Sequence, residues 1–237
     1  NNTSVGSEAL DASTTGHSNV AVGRVALTTN TIGNQNIAVG VSALEANTEG
    51  ENNISVGNNS LAANTTADNN TAVGHQALTA NTTGHSNVAV GALALDANTT
   101  ANNNTAIGYE SLTSNTTGTA NTGVGRTSLN ALTTGSNHTA VGMGALESVT
   151  TASGSTAIGK DALQANTSGG ENVGVGLGAL KSNTTGAQNV AVGANALDAN
   201  TTASNNTAIG YNSMTATTTG TANVAVGTAT LVNPTGS

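Results

Sequence analysis

The side chains in this sequence that are best suited to catalysis or metal binding are four histidines and twelve carboxylates. The histidines are His17, His75, His85 and His138, and no cysteine is present to join them as a thiolate ligand. His17 and His85 hold equivalent places in an internal repeat, but four repeat units separate them, about 19 Å at the spacing of stacked β-strands. Because a metal ion needs all its ligands within a few ångströms, we predict four surface histidines and no metal site.

Paired carboxylates catalyse acid–base reactions where two of them face each other across a cleft. Asp96 and Glu110 fall at different places in the repeat, and nothing in the pattern places a pocket between them. Glu49, Glu51 and the pair Lys160-Asp161 have the pattern of solvated surface charges. No Gly-Lys-Ser/Thr follows any of the glycines, so they form no phosphate-binding loop. We predict no catalytic residue, no cofactor and no enzymatic activity.

The elements that position these side chains follow from a repeat of seventeen residues, which runs through the chain without an insertion. A glycine after valine or isoleucine recurs fourteen times, at Gly6, Gly23, Gly40, Gly57, Gly74, Gly91, Gly108, Gly125, Gly142, Gly159, Gly176, Gly193, Gly210 and Gly227. The stretch from Asn70 to Ser86 shows the pattern almost pure, as Asn-Thr-Ala-Val-Gly-x-x-Ala-Leu-x-Ala-Asn-Thr-Thr-Gly-x-x. We call this stretch the reference coil and its seventeen positions columns, numbered from Asn70.

The columns separate a constant interior from a variable exterior. Leucine fills column 9 from Leu10 to Leu231, except at Met214, and threonine fills column 13 from Thr14 to Thr235. All sixteen charged residues lie in columns 6, 7, 10, 14, 16 and 17. This is binary patterning with the period of the repeat. It predicts that Val73 and Leu78 are the large interior side chains of the reference coil, with small Ala72 and Ala77 beside them.

The repeat is too short for a pair of helices, and its residues favour strands and turns. Thr71-Ala72-Val73 suits a strand, whereas Asn81 to Gly84 has turn composition. We predict an all-β fold, a parallel β-roll or β-solenoid of fourteen 17-residue coils, with two short strands and two turns in each coil. Residues 1–237 form one such domain, a segment of a longer fibre, about 67 Å long at the strand spacing of about 4.8 Å.

Composition excludes several classes of function. The net charge is −8 with only four basic residues, which argues against a nucleic-acid partner. No apolar run reaches the length of about 20 residues that spans a membrane.

Aromatic residues make up 1% of the chain, so the core of each coil is thin. One Val and one Leu contribute about 1.5–3 kcal/mol each on burial, against about 1–2 kcal/mol of backbone entropy for every ordered residue. We therefore expect an oligomer, a homotrimer or a self-assembling filament.

The motif Asn-Val-Ala-Val-Gly, at Asn19–Gly23, Asn87–Gly91 and Asn189–Gly193, resembles the YadA-like head repeats of trimeric autotransporter adhesins. Similar repeats occur in phage fibre proteins. The resemblance covers the whole chain, although adhesin head repeats are usually a few residues shorter, and the neck, coiled-coil stalk and membrane anchor are absent. It implies a left-handed parallel β-roll, three chains about one axis, and a place outside the cell, at the cell surface or on a virion. A cell-surface, glycan or matrix partner would then bind the side chains of the variable columns.

Two other interpretations of the columns remain open. Stacked Thr-Thr pairs such as Thr82-Thr83 could make a monomeric ice-binding β-solenoid, and a coil near 18 residues resembles the β-helix of hexapeptide acyltransferases. The Asn column that contains Asn70 is predicted to form an amide ladder that satisfies its own turn. Tyr109 and Tyr211 share column 6 and are predicted to be isolated surface tyrosines. Our leading hypothesis is a non-enzymatic extracellular fibre segment or adhesin head that presents a repetitive surface.

Overall fold

The computed structural model describes residues 1–232, which contain fourteen strands of three residues each. These residues fall into two compact units, 1–120 and 121–232. The strands of the first unit are β1 (Thr3–Val5), β2 (Val20–Val22), β3 (Ile37–Val39), β4 (Ile54–Val56), β5 (Thr71–Val73), β6 (Val88–Val90) and β7 (Thr105–Ile107). Those of the second are β8 (Thr122–Val124), β9 (Thr139–Val141), β10 (Thr156–Ile158), β11 (Val173–Val175), β12 (Val190–Val192), β13 (Thr207–Ile209) and β14 (Val224–Val226).

Within each unit the strands pair in sequence order, parallel and in the register of the repeat. In the first unit Thr71 pairs with Val88 and Ala72 with Ala89; in the second, Val173 pairs with Val190. Every pair joins residues of the same column. The prediction of an all-β, parallel β-solenoid built from 17-residue coils is therefore confirmed. Thr235, the last member of the threonine column, lies outside the described residues.

From β2 to β14, each strand turns its small middle residue inward and its two β-branched residues outward; in β1 all three residues are exposed. In β5, Ala72 is fully buried, whereas Thr71 and Val73 on either side of it are only half-buried. Alternation along a strand explains this, because successive side chains point to opposite faces. The prediction that Val73 is an interior side chain was therefore wrong. Leu78, which is fully buried, is the large apolar residue inside the reference coil.

The glycine after each strand allows neighbouring coils to approach closely. Gly74 has a φ of +139°, and a Cβ at this position would lie 2.5 Å from the carbonyl oxygen of Gly91 in the next coil. A side chain is excluded both by this contact and by the backbone conformation. The regular spacing of the glycines along the chain thus reflects a steric requirement that recurs from coil to coil.

The second half of the coil is not a strand, contrary to the prediction of two strands per coil. Gln76 and Leu78 have φ values of 55° and 54°, in the left-handed region that non-glycine residues rarely adopt. Backbone hydrogen bonds to the adjacent coils hold them there: Gln76 N–H donates to Asn58 O at 3.0 Å and Leu78 N–H to Ala94 O at 2.9 Å. The inter-coil ladder therefore continues through this segment with turn geometry instead of strand geometry.

No helix long and apolar enough to cross a membrane occurs between residues 1 and 232.

Candidate functional site

A row of buried asparagines in column 1 connects successive coils. Asn70 is fully buried, its Oδ1 accepts the backbone N–H of Asn87 at 3.0 Å, and its own backbone N–H donates to Asn53 Oδ1 at 3.0 Å. Its Nδ2 donates to Gly84 O at 2.9 Å, at the far end of the same coil. The amide ladder predicted for this column is present. It lies in the interior. The Nδ2 of Asn70 serves the turn of its own coil, as predicted, and its Oδ1 also joins it to the next coil.

A second row of asparagines, in column 12, faces the first. Asn81 is also fully buried, and its Nδ2 donates to Asn64 Oδ1 at 3.1 Å and to Gly84 O at 2.8 Å. The carbonyl of Gly84 thus accepts one amide from each row. Sequence reasoning assigned Asn81 to a turn and missed this ladder. An uncharged polar residue kept in one column of the repeat was the signal that could have revealed it.

The coil interior therefore combines small apolar groups with hydrogen-bonded amides. Leu78, Ala72 and Ala77 supply the apolar contacts, and Asn70 and Asn81 supply the polar ones, all with no exposed surface. Buried polar groups stabilise a fold when their hydrogen bonds are made. In the reference coil every buried side-chain nitrogen and oxygen atom has a hydrogen-bond partner, so the interior groups serve the structure.

The outer surface of the strands is a regular, uncharged feature of each unit. We call the first and third residues of each strand the sheet face. The first residue is always Thr, Val or Ile and the third always Val or Ile, so no charge occurs on this face. Its exposed members include Ile107 at 39%, Ile158 at 41% and Ile209 at 40%. Uncharged rows of large apolar side chains on a protein surface are typical of contact sites.

The variable residues frame this face and carry the charges, as predicted. None of the Asp, Glu, Lys or Arg side chains among residues 1–232 is buried. Tyr109 and Tyr211, 45% and 56% exposed, lie at the surface two residues after the strands β7 and β13. The prediction of surface tyrosines is confirmed.

The structure does not bring the histidines together, and one of them is not at the surface. His17, His75 and His85 are exposed, as predicted. His138 is 1% exposed, so the prediction for this residue was wrong. It occupies column 1, where most coils have a buried Asn, and its ring takes over the inward-facing hydrogen bonds of that column.

Asp96 and Glu110 lie in different columns of the repeat, but their charges interact. Asp96 accepts a hydrogen bond from Thr113 Oγ1 at 2.5 Å, and burial raises its pKa above the ordinary value while this bond opposes the shift. Glu110 raises the same pKa slightly through its negative charge. Within the described part of the chain, no group of three His, Cys, Asp or Glu residues is placed to hold a metal ion.

The two threonines of the Thr-Thr pair have different surroundings. Thr82 Oγ1 donates to Thr99 O in the next coil at 3.1 Å, so this row of hydroxyls serves the inter-coil ladder. Thr83 beside it is exposed. The pair therefore presents one row of hydroxyls to solvent, where the ice-binding interpretation needs a flat array of several rows.

No protein-family model matches the chain, and a search of curated proteins finds no match either. The similarity to adhesin head repeats thus remains a prediction from the residue pattern.

Proposed function

We propose that this chain is a non-enzymatic structural segment of an extracellular fibre or adhesin head, which assembles as a left-handed homotrimer through its sheet face. It needs no cofactor and acts at the cell surface or on a virion. The observation that carries the proposal is the sheet face itself: an uncharged, partly exposed row of Val and Ile that recurs in every coil.

The chemistry of this face supports a second copy of the chain as its partner. Each Val or Ile side chain that becomes buried contributes about 1.5–3 kcal/mol, and the seventeen-residue period lets identical faces meet in register along a whole unit. A net charge of −8 opposes association, but all the charged columns lie outside the sheet face. The exposed columns, including column 6 with Tyr211, remain available to a cell-surface, glycan or matrix partner.

The first experiment measures the native mass of the chain by light scattering after size-exclusion chromatography. The proposal requires a mass near three times 22.8 kDa. A monomer contradicts it and directs attention to thermal hysteresis, the assay for the ice-binding alternative. Species of very large and variable mass favour a filament.

A pair of variants locates the interface. Val73→Asp and Val90→Asp place a carboxylate on the sheet face, and we expect them to yield monomers whose far-UV circular dichroism is that of the wild type. Thr83→Asp, at an exposed residue away from this face, is the matched control and should keep the wild-type mass. Trimers that survive both valine substitutions would exclude the sheet face as the interface.

A further inference from the structure

His138 is the only ionisable side chain among the described residues that is buried. The ionisable residues of its own coil and of the two adjacent coils are Arg126, Glu147, Lys160, Asp161 and Glu171, and none of these is buried. The ring lies beside Gly135 and Ser155, and Asn121 accepts the backbone N–H of His138; none of these groups carries a charge. No counter-ion is therefore in place to stabilise a positive charge on the imidazole.

The hydrogen bonds of the ring define its protonation state. Ser155 N–H donates to His138 Nδ1 at 3.2 Å, so Nδ1 must be an unprotonated acceptor. Nε2 lies 2.6 Å from Ala152 O and donates to it, because a carbonyl oxygen can only accept. The neutral imidazole with its proton on Nε2 satisfies both bonds. A second proton on Nδ1 would point at another donor, and the bond to Ser155 would be lost.

Both asparagine rows are interrupted around this residue. In column 12, Leu132 and Val149 stand where most other coils have Asn, and in column 1 Ser155 follows His138. The carbonyl of Ala152 therefore has no column-12 amide from its own coil, and His138 Nε2 supplies its side-chain hydrogen bond. Further along the unit, Ala203 O again accepts one amide from each row, from Asn189 and Asn200.

We propose that His138 makes the contacts between the coils of residues 121–171 sensitive to acid. Protonation of its ring at mildly acidic pH opens these contacts, whereas the contacts between coils with both asparagine rows persist. Burial, the largest cause, lowers the pKa of His138 below 6.5, and the hydrogen bond from Nε2 to Ala152 O, which favours the charged ring, opposes this shift. The folded state therefore binds the proton less readily than the unfolded state. Stability is complete above pH 6.5 and declines as the pH falls from there through the folded pKa.

The test is hydrogen–deuterium exchange of the full-length chain between pH 7.5 and 5, with each amide corrected for its intrinsic exchange rate. We expect the protection factor of the Ser155 amide to fall below pH 6.5 by up to about tenfold per pH unit, the slope of a one-proton opening. The amide of Asn189, which donates to Asn172 Oδ1 at 2.9 Å in an intact row, should keep its protection.

The matched variant is His138→Asn, because Asn is the residue that column 1 carries in most coils. It should remove the pH dependence at Ser155, whereas His85→Asn, at an exposed histidine, should leave it unchanged. A His138→Asn protein that keeps the acid response overturns the proposal. In the wild type, a ¹⁵N-histidine spectrum that shows a protonated Nδ1 at pH 5 with full protection of the Ser155 amide overturns it independently of any variant.

Discussion

The side-chain oxygen of Asn70 accepts the backbone N–H of Asn87, seventeen residues later, at 3.0 Å. Both residues are fully buried, so without this bond the N–H of Asn87 would be a buried donor with no partner. Such an orphan costs about 1–3 kcal/mol. The asparagine rows thus stabilise the coil stack by satisfying backbone groups, which compensates for the small apolar core.

The first prediction concerns this bond. Asn70→Ala leaves Asn87 N–H unsatisfied, while Gly84 O keeps its other amide donor, Asn81. We expect a loss of about 1–3 kcal/mol in the free energy of unfolding, measured by denaturant titration.

Asn70→Asp distinguishes the hydrogen bond from side-chain volume. Its carboxylate still accepts from Asn87 but faces the carbonyl of Gly84 with a negative charge, so we expect a larger loss at pH 7 than at pH 4, where the protonated acid can donate. Wild-type stability in both variants would show that the amide row contributes nothing.

The second prediction compares an inward and an outward residue with the same backbone conformation. Leu112 is fully buried and has a φ of 55°, and Glu110, two residues earlier, has a φ of 54°. Leu112→Asp should unfold the surrounding coils, because it buries a charge without a partner. Leu112→Ala should cost about 2–5 kcal/mol.

Glu110→Lys, at a half-buried residue whose charge acts on Asp96, is the control and should change the free energy of unfolding by less than about 1 kcal/mol. Thermal unfolding followed by circular dichroism compares the three variants. Equal midpoints for Leu112→Asp and Glu110→Lys would contradict the assignment of interior and exterior columns.

The repeat period was sufficient to predict the fold class and most of the exterior. A change of even one residue would move later columns out of register, so the unbroken spacing of glycines such as Gly74 indicated stacked coils, and the charged columns indicated the outside. Composition suggested that Val73 lies inside, because hydrophobic residues are usually buried. That inference failed because successive side chains of a strand point to opposite faces. Ala72 points inward, so its neighbour Val73 points outward.

The polar interior was harder to predict because asparagine has two common roles. In most sequences Asn next to Thr and Gly marks a turn, and only the coil geometry shows that Asn81 points inward to a shared carbonyl. The wrong prediction for His138 has the same cause. Once column 1 is known to lie in the interior, a histidine in that column is expected to be buried too. The left-handed conformation of Leu78 had no sequence signal, because leucine rarely adopts it.

The third prediction tests the close approach of neighbouring coils. Gly74→Ala would place a Cβ 2.5 Å from the carbonyl oxygen of Gly91, a fixed backbone atom, at a φ of +139°. We expect a loss of at least about 3 kcal/mol or failure to fold, because neither the backbone conformation nor the contact can relax cheaply.

Gly144→Asn is the matched control for this glycine. Gly144 has a φ of +67°, and the equivalent residue Asn195 has a φ of 55°, so column 7 accepts asparagine in the left-handed region. We expect a change below about 1 kcal/mol, read from the same denaturant titration. A Gly74→Ala protein as stable as Gly144→Asn would mean that the coils can separate at the glycine column without cost.

The last prediction uses a carboxylate that the fold stabilises poorly. Asp198 Oδ1 is buried and has no hydrogen-bond partner, and burial raises the pKa of this side chain above 3.8 despite backbone hydrogen bonds that oppose the shift. The folded state therefore holds the proton more tightly than the unfolded state, and the ionised form reduces stability as the pH rises through the folded pKa.

Asp198→Asn should raise the unfolding midpoint at pH 7 by an amount equivalent to less than about 1 kcal/mol, the range typical of partly exposed charges. This gain should shrink as the pH falls towards 3.8, where more than half of the wild-type side chains are protonated in the folded state. Asp11→Asn, at an exposed residue of the same column, should show no such gain, and a gain for Asp198→Asn that is the same at pH 7 and pH 3.8 would show that ionisation is not its cause.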